Sequence, residues 1–99
     1  MRRKNKLCGT VIRLEERESD GVKYEYKLIM KESDSVASYG IRLYSIEIKM
    51  SMPDGATTYA EAKELFADCG IAMDFFDKLV DNLATPLNLS YVVEDELAR

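Results

Sequence analysis

Residues 22–31 read VKYEYKLIMK: Val22, Tyr24, Tyr26, Leu28 and Met30 alternate with Lys23, Glu25, Lys27 and Lys31, and only Ile29 breaks the alternation. A period of two with β-branched and aromatic residues on the apolar side describes a strand with one face in a core and one in water. Upstream, Cys8, Thr10, Ile12 and Leu14 form the matching face of a second strand, with the turn residues ESDG between them. A hairpin over residues 7–32 follows.

Its register can be argued from the apolar positions. A two-residue Asp20-Gly21 loop would pair Ser19 with Val22 and turn Arg13 and Glu15 onto the buried face. The expectation is therefore a three-residue loop, Ser19-Asp20-Gly21, with Gly21 left-handed in a bulged turn and Leu14, Ile12 and Thr10 opposite Tyr26, Leu28 and Met30.

The next apolar segment, VASYGIRLYSIEIKM, changes phase: Ile41 and Leu43 are apolar on odd positions, then Tyr44, Ile46, Ile48 and Met50 on even ones. A strand over residues 36–50 with a bulge near Leu43 and Tyr44, or a bend at Gly40, would keep one continuous core face.

Beyond the turn MPDGA the reading becomes helical. Thr58 stands three residues before Glu61 as in a capping box, and Gly70 reads as the left-handed end of a helix over 59–69. A second helix over 74–84 opens at Asp74 and carries Phe75, Phe76, Leu79, Val80 and Leu83 on one stripe. A third, over 86–97, has Pro86 at its first position and turns Leu89, Val92, Val93 and Leu97 toward the core. Strands followed by helices predict an α+β fold, an antiparallel sheet of about three strands covered on one face by about three helices.

The 99 residues, 46% hydrophobic and 32% charged, suit one domain over 1–99, with 1–5 expected as a disordered basic tail. Cys8 and Cys69 show no CxxC spacing and read as free thiols of a reducing, cytoplasmic compartment. No apolar run follows MRRKNK as a secretion signal requires, and nothing approaches a membrane span.

The net charge of −4 is uneven: residues 1–53 hold 11 Lys/Arg and 8 Asp/Glu, residues 54–99 hold 3 and 10. A nucleic-acid reader would show a basic domain, so nucleic acid is not an expected partner.

The absence of histidine removes Ser-His-Asp and Cys-His catalysis and imidazole metal sites. Phosphate-loop, dinucleotide and zincin motifs are missing too. No catalytic residue and no cofactor is assigned. Asp74, Asp77 and Asp81, at spacings of three and four, would share a helix face. A hard cation is one reading of them, and a capped, solvated face the other. Glu94-Asp95-Glu96 lies near a helix C-terminus, where the dipole disfavours acids; solvation at a frayed end is one reading and a partner with a basic face the other. If helices cover one sheet face only, Val11, Ile29, Ile41 and Leu43 would leave an apolar patch on the other for a docked protein or a second copy.

SYGI at 38–41 and PLNLSYVVEDELA at 86–98 together resemble a family of small bacterial proteins of unknown function, about this long, with a Tyr-Gly-Ile strand and a closing Pro-x-x-Leu-x-x-Val-Val-Glu-Asp-x-Leu segment. The closing match runs through Pro86, Leu89, Val92, Val93, Glu94, Asp95 and Leu97. The resemblance implies a bacterial cytoplasmic origin and brings no activity or ligand with it. It adds weight to Tyr39, Gly40, Glu94 and Asp95 as interaction positions. The sequence as a whole predicts a non-enzymatic interaction module or homodimer; the alternative is a small-molecule or metal-dependent activity of the acidic helices.

Overall fold

The computed structural model describes residues 9–32 and 41–98. The basic tail, Cys8, Tyr39 and Gly40 lie outside the described residues. Among those described, four strands form one antiparallel meander in the order β1-β2-β3-β4, followed by two helices. They are β1 (Thr10–Ser19), β2 (Val22–Glu32), β3 (Arg42–Ser51), β4 (Thr57–Phe66), α1 (Cys69–Asp81) and α2 (Leu89–Leu97). The fold is α+β, as the order of patterns predicts, with one strand more and one helix fewer.

The exchange of a helix for a strand concerns residues 59–69. Within TTYAEAKELF the stretch AEAKEL is composed of good helix formers, yet Ala60 and Ala62 alternate with Tyr59, Glu61 and Lys63 and pair with Ile48 and Ile46. Tertiary pairing overrides a propensity of a few tenths of a kcal/mol per residue. The connecting turn is closed by Met52 N–H donating to Ala56 O at 2.7 Å, with Gly55 at φ +96.

The first hairpin also departs from expectation. Asp20 and Gly21 form a two-residue turn with φ of 54 and 81, the doubly positive pair of a type I′ turn, and Ser19 faces Val22. Leu14 is consequently 51% exposed on the far face, and Arg13 and Glu15 share the helix face with Leu28 and Tyr26. A bulge between Val11 and Arg13 then restores the pairing of Thr10 with Met30. The inward Arg13 is accommodated because its guanidinium meets α1.

β3 needs no bulge against β2, whose register is unbroken from Lys23↔Ser51 to Glu32↔Arg42. The irregularity lies on the other side, in β4: Tyr44 faces Phe66 and Ile46 faces Ala62, so β4 spends four residues where β3 spends two.

Asp68, not Asp74, caps α1, its carboxylate accepting from Ile71 N–H at 2.9 Å. Gly70 falls in the helix's first turn rather than ending one. The buried stripe Ala72, Phe75, Phe76, Leu79 and Val80 packs on the sheet. The helix closes in a Schellman ending, with Ala84 N–H donating to Leu79 O and Leu83 N–H to Val80 O, and Leu83 at φ 51 in the place glycine favours. α2 starts at Leu89, after a turn over 86–88. Leu89 is buried, and Val92 and Val93 pack against the core. The inward place in the last turn goes to Glu96, which accepts from Lys78 Nζ at 3.4 Å. Leu97, expected in the core, lies at the flank, 56% exposed.

The core itself is Tyr26 and Leu28 of β2, Tyr44, Ile46 and Ile48 of β3, the α1 stripe, Ala84 and Leu89. Phe66 meets Phe75 edge to face at 5.5 Å. Each such ring contributes about 1.5–3 kcal/mol by burial.

Candidate functional site

The helix side carries a local excess of acid. Residues 69–98 hold six acids, Asp74, Asp77, Asp81, Glu94, Asp95 and Glu96, against one base, Lys78. The three aspartates of α1 are not arranged as a cation site. Asp77 accepts from Arg13 Nη2 at 2.9 Å, while Asp74 and Asp81 are exposed. No group of three or more metal-competent side chains occurs among the described residues. The Arg13 guanidinium also lies 5.2 Å over the Phe76 ring and donates to Glu15, which Arg17 joins from the other side. Those hydrogen bonds, the one from Arg13 first, hold the Glu15 carboxyl below the usual range, and the Glu15 bond does most to raise Arg13.

On the outer side of α2 and its entry turn, Leu87 is 79% and Tyr91 72% exposed, the two most exposed large apolar side chains among the described residues. Leu87 stands in the entry turn and Tyr91 in the helix, where Glu94, three further on, shares the outward face of Tyr91. Glu94 and Asp95 are thus both exposed and next to apolar surface. Sequence reasoning missed Leu87 and Tyr91; the available signal was their position opposite Leu89, Val92 and Val93.

The second surface is the sheet face the helices leave open. Strand alternation places Val11, Leu14, Glu16 and Glu18 of β1 there, with Lys23, Glu25, Lys27, Ile29 and Lys31 of β2. β3 adds Leu43, Ser45, Glu47 and Lys49, and β4 adds Tyr59, Glu61 and Lys63. Of the residues expected as a patch, Val11, Ile29 and Leu43 lie on this side, but five lysines and five glutamates interrupt them. Tyr59 is held up to about 12 by desolvation and by Glu47 and Glu61 beside it. At the end of the sheet near Gly9, a hollow of about 340 Å³ opens over Val11, Ile29 and Ser45.

Cys69 is a free, exposed thiol at the start of α1, and its hydrogen bond with Tyr44 raises that phenol. No helix among the described residues is long and apolar enough to cross a membrane.

These features define an α+β protein with a meander sheet, one helix-covered face and one open, charge-mixed face. The chain belongs to a family of unknown function, DUF6514, whose sequence pattern matches residues 5–99. No curated protein and no solved structure matches it.

Proposed function

We propose that this protein is a non-enzymatic interaction module of the bacterial cytoplasm that docks a basic, amphipathic segment of a partner protein on the outer face of α2. The reading rests on one observation: Leu87 and Tyr91, 79% and 72% exposed, stand beside acids in a helical layer with six acids and one base. Tyrosine and leucine at such exposure gain most by being covered, and surrounding carboxylates favour lysines and arginines around an apolar anchor. The same acidity opposes association of two helix layers with each other, since like charges would face across the contact. A metal-dependent activity of the α1 aspartates draws less support, because Asp77 is engaged by Arg13.

The test is capture from lysate with the wild-type chain and with Leu87→Ser/Tyr91→Ser in parallel, with native masses recorded. The expected result is a partner held by the wild type, lost by the double variant and released as salt rises from about 0.1 to 1 M. A partner equally held by the double variant would sink the α2 assignment. A native mass near twice 11.3 kDa that falls to the monomer in the double variant would make the occupant a second copy.

A further inference from the structure

We infer that the hollow at the Gly9 end of the open sheet face is a binding site for a small organic anion, an oxyanion group carried on an apolar body. The site lies on the opposite side of the sheet from α2 and stands independently of docking there.

The local backbone builds it. Where β4 spends four residues against two of β3, Glu64 is forced to φ 53 and its N–H donates to Ser45 Oγ at 2.9 Å. Lys63, on the open face by strand alternation and next to the bulge, lines the hollow with Ser45. On β2, Lys27 and Lys31 flank Ile29, two residues to either side on the same face. At the far edge, a side chain at Gly9 would collide with that of Ile29, so glycine leaves this end of the hollow unfilled.

Three lysines and Ser45 line the hollow against two glutamates, so donors outnumber carboxylates. Ser45 is 7% exposed; its oxygen accepts from Glu64, and its own proton has no acceptor among the described residues. Lys27, Lys31 and Lys63 line the same space, and none of them forms an ion pair within 4.0 Å among the described residues. Glu47 and Glu61 also line it, at the Lys27 end, where Lys27, Glu47 and Glu61 are successive cross-strand partners. Lys31 at the other end faces Leu43. The donor-rich end is therefore the one bounded by Lys31, Lys63 and Ser45.

A buried hydroxyl with a free proton and unpaired ammonium groups are satisfied together by a carboxylate or phosphate oxygen. The apolar floor of Val11 and Ile29 takes the rest of the molecule, as small-ligand sites of this size do. A bare inorganic ion would leave that floor uncovered.

The experiment is an amide NMR titration of the whole chain with hexanoate, hexyl phosphate and inorganic phosphate. Saturable shifts are expected with at least one organic anion, below about 10 mM, at Val11, Ile29, Ser45 and Lys63, weakened about tenfold or more in Lys31→Gln/Lys63→Gln. The two organic probes tell carboxylate from phosphate. No saturation by either probe, shifts unchanged in the double variant, or inorganic phosphate binding as tightly as hexyl phosphate would each overturn the assignment. Both substitutions are at surface positions, and an unchanged melting temperature keeps loss of binding distinct from loss of fold.

Discussion

The Arg13 guanidinium lies 5.2 Å from the centre of the Phe76 ring, and that contact explains how a charged residue occupies the helix side of β1. The arginine covers a fully buried aromatic while Asp77 at 2.9 Å and Glu15 at 3.2 Å hold its edge, and the Met73 sulfur accepts from Nη1 at 3.5 Å. Stem burial and ring contact outweigh the ion pair, because the Asp77 side chain is 52% exposed and screened.

Arg13→Ala is therefore expected to destabilise by about 1–2 kcal/mol and Asp77→Asn by no more than about 0.5 kcal/mol. Denaturant unfolding at moderate salt measures both, and equal losses would show that the ion pair dominates. The acid limb adds a second reading. Glu15 titrates below its ordinary range in the folded chain, so its contribution is present above that range and lost as pH falls through the folded value. Arg13→Ala should make the acid side of the stability curve shallower.

Tyr26 ties β2 to the end of α1. Its hydroxyl donates to Ala84 O at 2.8 Å from a fully buried ring, just past the left-handed Leu83. Tyr26→Phe leaves that carbonyl without its partner and should cost about 1–2 kcal/mol. Burial pushes the phenol to about 12, with Tyr24 adding to the shift. A raised pKa means that the stabilisation is full below about 10 and declines as pH rises toward 12, by about 2–3 kcal/mol. Melting temperatures between those values should fall more steeply for the wild type than for Tyr26→Phe.

The Asp20-Gly21 turn allows a check with opposite signs. Both residues have positive φ, so Asp20→Asn should be neutral or stabilising by a few tenths of a kcal/mol. Gly21→Ala places a Cβ at φ 81, 3.3 Å from Pro53, and should cost about 1 kcal/mol. A three-residue loop would instead leave Asp20 indifferent to the exchange.

The β2 alternation was legible because every second residue is apolar and the strand is central, paired on both sides. β4 was not, since its inward residues are alanines, which signal helix by propensity and strand only by their alternation with Tyr59, Glu61 and Lys63. Thr58 and Glu61 imitated a capping box while standing on opposite faces of a strand. The β1 register failed for a different reason: the preference for an Asp-Gly two-residue turn exceeded the cost of turning Arg13 inward, which the α1 contacts with Phe76 and Asp77 offset. Of the site residues, the exposure of Glu94 and Asp95 could be read from their places opposite Leu89, Val92 and Val93. Lys63 beside Ser45 could not, because a bulge in β4 sets that neighbourhood and no local pattern announces it.

That bulge gives the last prediction. Ser45 Oγ accepts from Glu64 N–H in place of a backbone partner, at a position 7% exposed, so Ser45→Ala leaves the amide unsatisfied and should cost about 1–3 kcal/mol. Glu64 at φ 53 carries left-handed strain that glycine lacks, so Glu64→Gly should stabilise by about 0.5–1 kcal/mol despite adding chain entropy to the unfolded state. The two changes act on one hydrogen bond and should not add. The relief gained by Glu64→Gly should shrink in a Ser45→Ala background, where the bulge can relax on its own. A double-mutant cycle by denaturant unfolding measures this directly, and strict additivity would mean that the Ser45 contact does not hold Glu64 in its left-handed conformation.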